Sequence, residues 1–526
     1  MENLEVIFFL LLFAVLLVGF AQKIRVPYPL VLIIGGACIS FIPGLKHIFF
    51  NPNLVLMIFL PPILYYASFE ISFREFKLSW RNIFSLALGL VALTTLVIAV
   101  IFKWLFPQLP WALAFAFGAI ISPPDAIAVT SILKRFNMNP RLITLLEGES
   151  LINDAFAIVI YKMAIGTLLV GPWSFSEGIY EFFYGVIGGI FIGFVLGFIF
   201  QLFSKRYLEP ILGVVFSFTI PYVAYTVASI LDVSGVLAVV VSGLIGAHII
   251  HTHHSSLRRV LGFAVWDIFT ILLNCFVFIL IGLQVKIITE KMTLHQILNY
   301  SGYSLLIAFA MCVIRMIWVY GRAAILYMKA MHQRDSFKLC PQILRESAVI
   351  GWAGMRGIVS LAVALAIPFT FSNGMPLEGR DEVIFITFMV IFITLVIPGL
   401  SLPTLIRKLN LAPINRHEKE TEIRNQLSQH ADNSIISLFE SKMINQKEYR
   451  FLRSYFHIHH KALEKAHEAE DNLSNVESAR REIIHSLRTK LMEITKTHEI
   501  DDQFLNHLEG ELDMLETHTA RAKLKA

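Results

Sequence analysis

Gly148-Glu149-Ser150-Leu151-Ile152-Asn153-Asp154 opens a segment that is otherwise apolar and runs on through Ala155-Phe156-Ala157-Ile158-Val159-Ile160. Apolar segments of membrane length lie before and after it. The stretch therefore places three or four polar groups, one of them a carboxylic acid, inside a bilayer. A carboxylate at that depth costs at least about 2.5 kcal/mol and marks a functional site by default. The rest of the chain reads as the structure built around it.

Composition supports that reading. The chain has 526 residues, 56% hydrophobic and 16% charged; a soluble globular chain carries about 25% charged residues. It is expected to be an all-α polytopic membrane protein. Cys38, Cys275, Cys312 and Cys340 are scattered and form neither a disulfide framework nor a metal-ligand spacing. The net charge of +5 is modest. It suits basic loops on one side of a membrane better than nucleic acid. Met1-Glu2-Asn3-Leu4-Glu5 is acidic where a cleavable signal would be basic, so the first span is expected to be retained.

A span needs about 20 apolar residues. Thirteen candidates follow: 4–22, 27–44, 52–70, 82–105, 111–133, 150–170, 181–203, 209–231, 233–250, 262–285, 298–321, 346–369 and 382–405. Lys and Arg side chains test the count. The odd-numbered connections hold seventeen, among them Arg74, Lys134, Arg206, Arg258 and Lys338, and the even-numbered ones five. By the positive-inside rule the odd connections are cytoplasmic, the N-terminus outside and the C-terminus inside. An odd total allows two six-span halves around a linking span, which makes the halves inverted repeats. That is a transporter architecture, with its site where interrupted helices meet. Two spans look interrupted, the fifth at Ser122-Pro123-Pro124-Asp125-Ala126 and the twelfth at Gly351-Trp352-Ala353-Gly354-Met355-Arg356-Gly357.

Residues 1–410 thus form the expected transmembrane domain. Residues 411–526 are polar and hold ten of the 17 histidines. Ile484, Leu487, Leu491 and Ile494, then Phe504, Leu508, Leu512 and Leu515, recur at helical spacing. A cytoplasmic helical tail is expected, regulatory or dimerising.

Residues four apart share a helix face. Ser150 and Asp154 form one pair and Glu149 and Asn153 another. A hydroxyl and a carboxylate are hard ligands for a small cation. Asp125 adds a second carboxylate beside the break in the fifth span. Burial disfavours the charged form of an acid, so such a carboxylate can hold either a proton or a cation near neutral pH. Competition for one acid then couples two fluxes without ATP or a cofactor, and no nucleotide-binding loop is present in the sequence.

Gly-Glu-Ser-Leu-Ile-Asn-Asp at 148–154, Ser-Pro-Pro-Asp-Ala-Ile-Ala-Val at 122–129, Gly-Met-Arg-Gly at 354–357 and Leu-Pro-Pro-Ile-Leu at 60–64 resemble the sodium/proton exchanger family, the cation:proton antiporter-1 group. The resemblance covers roughly residues 1–410. It implies that Asp154 is the shared carrier of cation and proton. Ser150, Asp125 and the carbonyl of Pro124 would complete the ion site. Asn153 would be tied to Glu149 and Arg356, a buried pair holding the sixth span against the twelfth. Members with Asn-Asp usually exchange one cation for one proton, so Asn153-Asp154 implies electroneutral exchange. The fold implied is a homodimer whose core, spans 4–6 and 11–13, moves against a dimerisation scaffold. Many relatives carry an acid in the third span where this chain has Tyr66, and that departure bears on ion choice.

Other polar residues have plainer readings. Asp125 can serve only to compensate the ends of a broken helix. His248, His251, His253 and His254 read as a solvated loop, and His457 and His460 as a helix surface. Asp232, Asp267 and Glu147 read as interfacial, and Lys162 and Arg315 as snorkelling. The expected function is a secondary antiporter, not an enzyme, in the cell membrane, exchanging Na⁺ (or Li⁺ or K⁺) for H⁺. The alternatives are a K⁺/H⁺ exchanger and a cation channel gated by the tail.

Overall fold

The computed structural model describes residues 2–454 apart from 25, 42–51, 72, 137, 172–174, 254–255, 291, 333–339, 371–374, 412–416, 442 and 451. His254, His457, His460 and both apolar stripes of the tail lie outside these residues, as do the side chains of His251 and His253. Every long element described is a helix. In order they are α1 (Glu2–Ile24), α2 (Tyr28–Ser40), α3 (Pro52–Glu70), α4 (Phe73–Phe84), a π-helical turn (Ser85–Leu90), α5 (Val91–Leu105), α6 (Trp111–Ile121), α7 (Ala126–Arg135), α8 (Pro140–Val170), α9 (Phe175–Tyr207), α10 (Pro210–Ser217), α11 (Thr219–Ile230), α12 (Gly235–His253), α13 (Ser256–Thr289), α14 (Leu294–His332), α15 (Cys340–Trp352), α16 (Ile358–Leu365), α17 (Arg380–Lys408) and α18 (His417–Glu440). Among the described residues, eight helical stretches are long and apolar enough to cross a membrane, and Phe9–Ile24, Tyr28–Ser40 and Gly235–Ile249 are shorter apolar helices. The protein is a multi-pass membrane protein.

The expected spans overlap these helices, 82–105 on α4, the π-helical turn and α5, 111–133 on α6 and α7, 209–231 on α10 and α11 and 346–369 on α15 and α16, while residues 42–44 lie outside the described residues. Several helices are longer than their apolar cores. Asn139 caps α8 by accepting from the Arg141 amide at 3.0 Å, and Pro140 sits at the first helical position, where its missing N–H is no loss. The helix therefore starts ten residues before the apolar segment, and Glu149 lies well inside it. Likewise α13 and α14 extend beyond 262–285 and 298–321. This places Asp267 and Arg315 further from a helix end than the apolar windows imply.

Two clusters of buried side chains organise residues 1–412. The larger gathers Ile98, Phe117, Leu133, Leu146, Phe278, Met355, Leu361 and Ile391 around α5–α8, α13, α16 and α17. The smaller gathers Leu60, Tyr65, Leu151, Ala224, Val239 and Trp266 around α3, α8, α11, α12 and α13. In α3 the prolines Pro61 and Pro62 lie inside the helix. Pro62 cannot donate to the Ile58 carbonyl one turn back, and the Tyr222 hydroxyl of α11 donates to that carbonyl instead, at 3.0 Å. Residues 413–526 form a separate compact unit. Within it Phe439 stacks near Tyr449, ring centroids 4.9 Å apart.

Close approach of α9 and α12 depends on glycine. A Cβ at Gly193 would run into the Ala238 backbone, its Cα at 2.9 Å, and one at Gly189 would meet the Ser234 carbonyl at 2.6 Å. Small residues at such crossings are the usual membrane solution, since packing has to replace the hydrophobic effect. Gly193→Val is expected to lower stability by about 1–3 kcal/mol through overpacking, read as a fall in the thermal midpoint of the purified protein. Gly185→Ala, at a glycine with open space around it, is the control that should leave the midpoint unchanged.

Candidate functional site

Two helix breaks meet in the larger cluster. α6 ends at Ile121, and Ser122-Pro123-Pro124-Asp125 is unwound before α7. Pro123 and Pro124 remove two backbone donors, which disfavours helix at this point. α15 ends at Trp352, and residues 353–357 are unwound before α16. The breaks are joined directly: the Asp125 amide donates to the Met355 carbonyl at 2.8 Å. A Cβ at Gly357 would collide with the Asp125 side chain, so only glycine lets the two segments cross this closely.

Asp125 also caps α7, its carboxylate accepting from the Ile127 amide at 2.8 Å. The break in the other helix is held by the Arg356 amide, which donates to Thr394 Oγ1 at 3.2 Å. Beyond it, the Arg380 guanidinium closes the end of α16, donating to the carbonyls of Ile367 at 2.8 Å and Leu365 at 2.9 Å.

α8 runs beside both breaks, and its two polar faces diverge. Ser150 and Asp154 line a cavity of about 340 Å³, whose other walls come from α2, α3, α7, α13 and α16. Asp154 is 7% exposed. Ser150 Oγ accepts from the Ala126 amide at 3.3 Å, the first turn of α7. On the other face, Asn153 is fully buried and its Nδ2 donates to the Pro124 carbonyl at 3.3 Å. Ser150, Asp154 and Asp125 thus share one cavity. Pro124 carries its carbonyl to Asn153.

Glu149 does not pair with Arg356. Its carboxylate takes a two-pronged ion pair from Arg315 of α14, Nη1 to Oε1 and Nη2 to Oε2, the latter at 2.8 Å. Arg315 Nε also donates to the Ile350 carbonyl at 3.0 Å. The reason is position: α14 lays Arg315 against this face of α8, and a planar guanidinium fits a carboxylate with two parallel bonds. Arg315 is buried with its charge satisfied and does not snorkel. Arg356 is 3% exposed, and its Nε and Nη1 have no hydrogen-bond partner. Its nearby charges are Arg315, Glu149 and Asp154. The local signal for Arg315 was a single cation in the middle of an apolar segment; nothing local names its partner.

The cavity reaches exposed charged groups at the ends of α3 and α7. Around this mouth Lys134 forms ion pairs with Glu147 at 3.2 Å and Glu70 at 3.8 Å. A void of about 10 Å³ adjoins Asp154, lined by Ala119, Ile120, Pro123, Ala157, Ile158, Tyr161, Val359 and Val363. Tyr66 also lines the cavity, and its hydroxyl donates to Asp267 Oδ1 of α13. Its ring lies parallel to Trp266 at 5.6 Å. Glu147 and Asp267, read from the sequence as interfacial, both line this cavity.

The family profile described as sodium/hydrogen exchanger, transmembrane, matches residues 8–408. A sodium, potassium, lithium and rubidium/H⁺ antiporter of Bacillus pumilus (strain SAFR-032) is 31% identical over 393 residues, 73% of this chain and 58% of that protein. The chain thus spans less than two thirds of that relative. The uncharacterized Na⁺/H⁺ exchanger YjcE of Escherichia coli (strain K12) is 27% identical over 543 residues, 97% of this chain and 98% of that one. The solved structure of the sodium proton antiporter MjNhaP1 from Methanocaldococcus jannaschii at pH 8 superposes with a TM-score of 0.60 at 21% identity, covering 78% of this chain and 99% of that one. That superposition establishes likeness of fold.

Proposed function

The chain belongs to the sodium/hydrogen exchanger family, and from that premise we propose that it is a secondary antiporter exchanging a monovalent cation for protons. The observation that carries the proposal is Asp154. Its buried carboxylate lines a cavity of about 340 Å³ whose mouth is ringed by exposed charged groups, with Ser150 and Asp125 on the same cavity. A carrier needs this arrangement: the site faces one compartment, binds, and is then exposed to the other. A proton and a cation compete for Asp154, and Ser150 supplies a neutral oxygen beside it. Asp125 completes the set while also holding the broken helix together, and the Pro124 carbonyl, which accepts from Asn153, keeps a second lone pair for the ion. The rim residues Lys134 and Glu147 flank a connection rich in basic residues, so the open side is the cytoplasmic one and the state is inward-facing.

Asn153 carries no charge and is tied to Pro124. The motif on α8 therefore offers one titratable carrier at its cavity face, which supports one-for-one, electroneutral exchange. Glu149, Arg315 and Arg356 frame the site. Residues 411–526 are a cytoplasmic tail with a regulatory or dimerising role, and the working unit is a homodimer in the cell membrane.

The test is transport by the full chain in vesicles under an imposed pH gradient, with Na⁺, Li⁺ and K⁺ added separately. Cation-dependent dissipation of the gradient is expected, with rate and end point unmoved when the membrane potential is clamped. Cation flux that carries no protons would overturn antiport in favour of a channel. An end point that follows the potential would overturn electroneutrality. Response to K⁺ alone would assign the K⁺/H⁺ alternative.

A further inference from the structure

α13 presents a polar stripe to the cavity. Asp267, Thr270, Ile271 and Asn274 all line it, and their spacing puts them on one helix face. Seven residues separate the first from the last, about 10 Å along the axis. Asp267 is exposed, whereas Asn274 is 5% exposed. The Asn274 Oδ1 and Thr270 Oγ1 atoms are buried without any hydrogen-bond partner. A buried acceptor left unmatched is costly, and in native proteins it calls for an explanation such as an ion or a water.

Tyr66 connects this stripe to the rest of the cavity. It lines the cavity from α3, and its hydroxyl donates to Asp267 of α13 across it. Stacking on Trp266 fixes the ring, so Tyr66 holds Asp267 in place.

We propose that Thr270 and Asn274 form a second station for a monovalent cation, occupied on the way from Asp267 at the mouth to Asp154. The inference rests on the antiport reading. The station's donors are neutral oxygens one helical turn apart, a hydroxyl and an amide carbonyl, which suit a hard cation, while Asp267, two turns from Asn274, supplies charge at the entrance and is not a ligand. The mouth favours cation entry, because among the described residues lining it three carboxylates, Glu70, Glu147 and Asp267, stand with one cation, Lys134. Ligand number and rigidity decide which cation a site prefers. The neutral oxygens of Thr270 and Asn274 are therefore selectivity determinants, and Tyr66 is a positioning residue acting through Asp267.

The experiment measures initial exchange rates in vesicles against Na⁺ and K⁺ concentration, for the full chain and for Asn274→Ala, Thr270→Val and Tyr66→Phe. Loss of one ligand to a cation is expected to raise the apparent KM on the order of tenfold with Vmax within about twofold, and to change the Na⁺/K⁺ ratio of KM values. Tyr66→Phe should shift KM in the same direction. Thr270→Val keeps shape, so it still answers if Asn274→Ala fails to fold. Wild-type KM values and an unchanged Na⁺/K⁺ ratio in an active Thr270→Val protein would overturn the station, as would loss of Vmax alone, which is the signature of a packing role. Absence of cation-dependent proton movement in the unaltered chain would instead overturn the antiport reading itself.

Discussion

Asp154→Asn is expected to reduce cation-coupled proton movement to the level of vesicles without protein. The substitution keeps volume and planarity, so the packing around a side chain that is 7% exposed survives. What disappears is the charge. At about 4 Å and an effective dielectric near 20, one charge pair contributes about 4 kcal/mol, which is roughly a thousandfold in cation affinity. An amide also carries no proton at neutral pH, so both halves of the exchange fail together. Asp125→Asn should do less damage, because an amide oxygen can still accept from the Ile127 amide and the backbone bond to Met355 is untouched. Proton flux recorded at several Na⁺ concentrations checks both variants. Exchange above about a tenth of wild type in a folded Asp154→Asn protein would move the carrier role away from α8.

Much of this site could be read from local pattern. Tandem prolines at 123–124 and glycines at 354 and 357 weaken a helix locally, so both breaks were visible in the chain as candidates, although the equally tandem Pro61 and Pro62 stay inside α3. The division of α8 into two faces follows from spacing alone. Pairing across helices has no such signature. Glu149 had two arginines within reach of a membrane-depth argument, and choosing between Arg315 and Arg356 needed the register of α14 against α8. Asp267 reads as interfacial and is exposed, but its place on the cavity is not legible from the apolar window: windows mark where lipid begins, while α13 continues beyond them to Ser256. A carboxylate near the edge of a window can therefore stand at a cavity mouth. The π-helical turn at Ser85–Leu90 was equally invisible, since one extra residue in a turn leaves no mark on an apolar run. Tyr66 shows the reverse case. Its identity as a departure was plain from the motif, but its consequence depended on what stood opposite.

Breaking the Glu149–Arg315 pair is the second large effect expected, on stability first and transport second. The side chains are 1% and 3% exposed, respectively. Removing one partner of such a pair leaves an uncompensated charge and costs about 3–5 kcal/mol. The two single substitutions should differ. In Glu149→Gln, Arg315 and the neighbouring Arg356 are left facing each other with their nearest carboxylate removed. Arg315→Met leaves Glu149 beside Arg356, which has two unpartnered nitrogens to offer. Arg315→Met should therefore be the milder change, with Arg356 taking over part of the pairing. The double variant, carrying no charge at either position, should recover most of the stability lost by Glu149→Gln. Thermal midpoints of the purified proteins measure all three. Equal and additive losses would mean that the pair contributes no coupling, and α8 would then be held against the broken helices by Asn153 and Pro124 instead. Recovery of stability without recovery of transport would separate framing from function: the pair would be needed to aim Ser150 and Asp154, and a neutral core would suffice to keep the helices together.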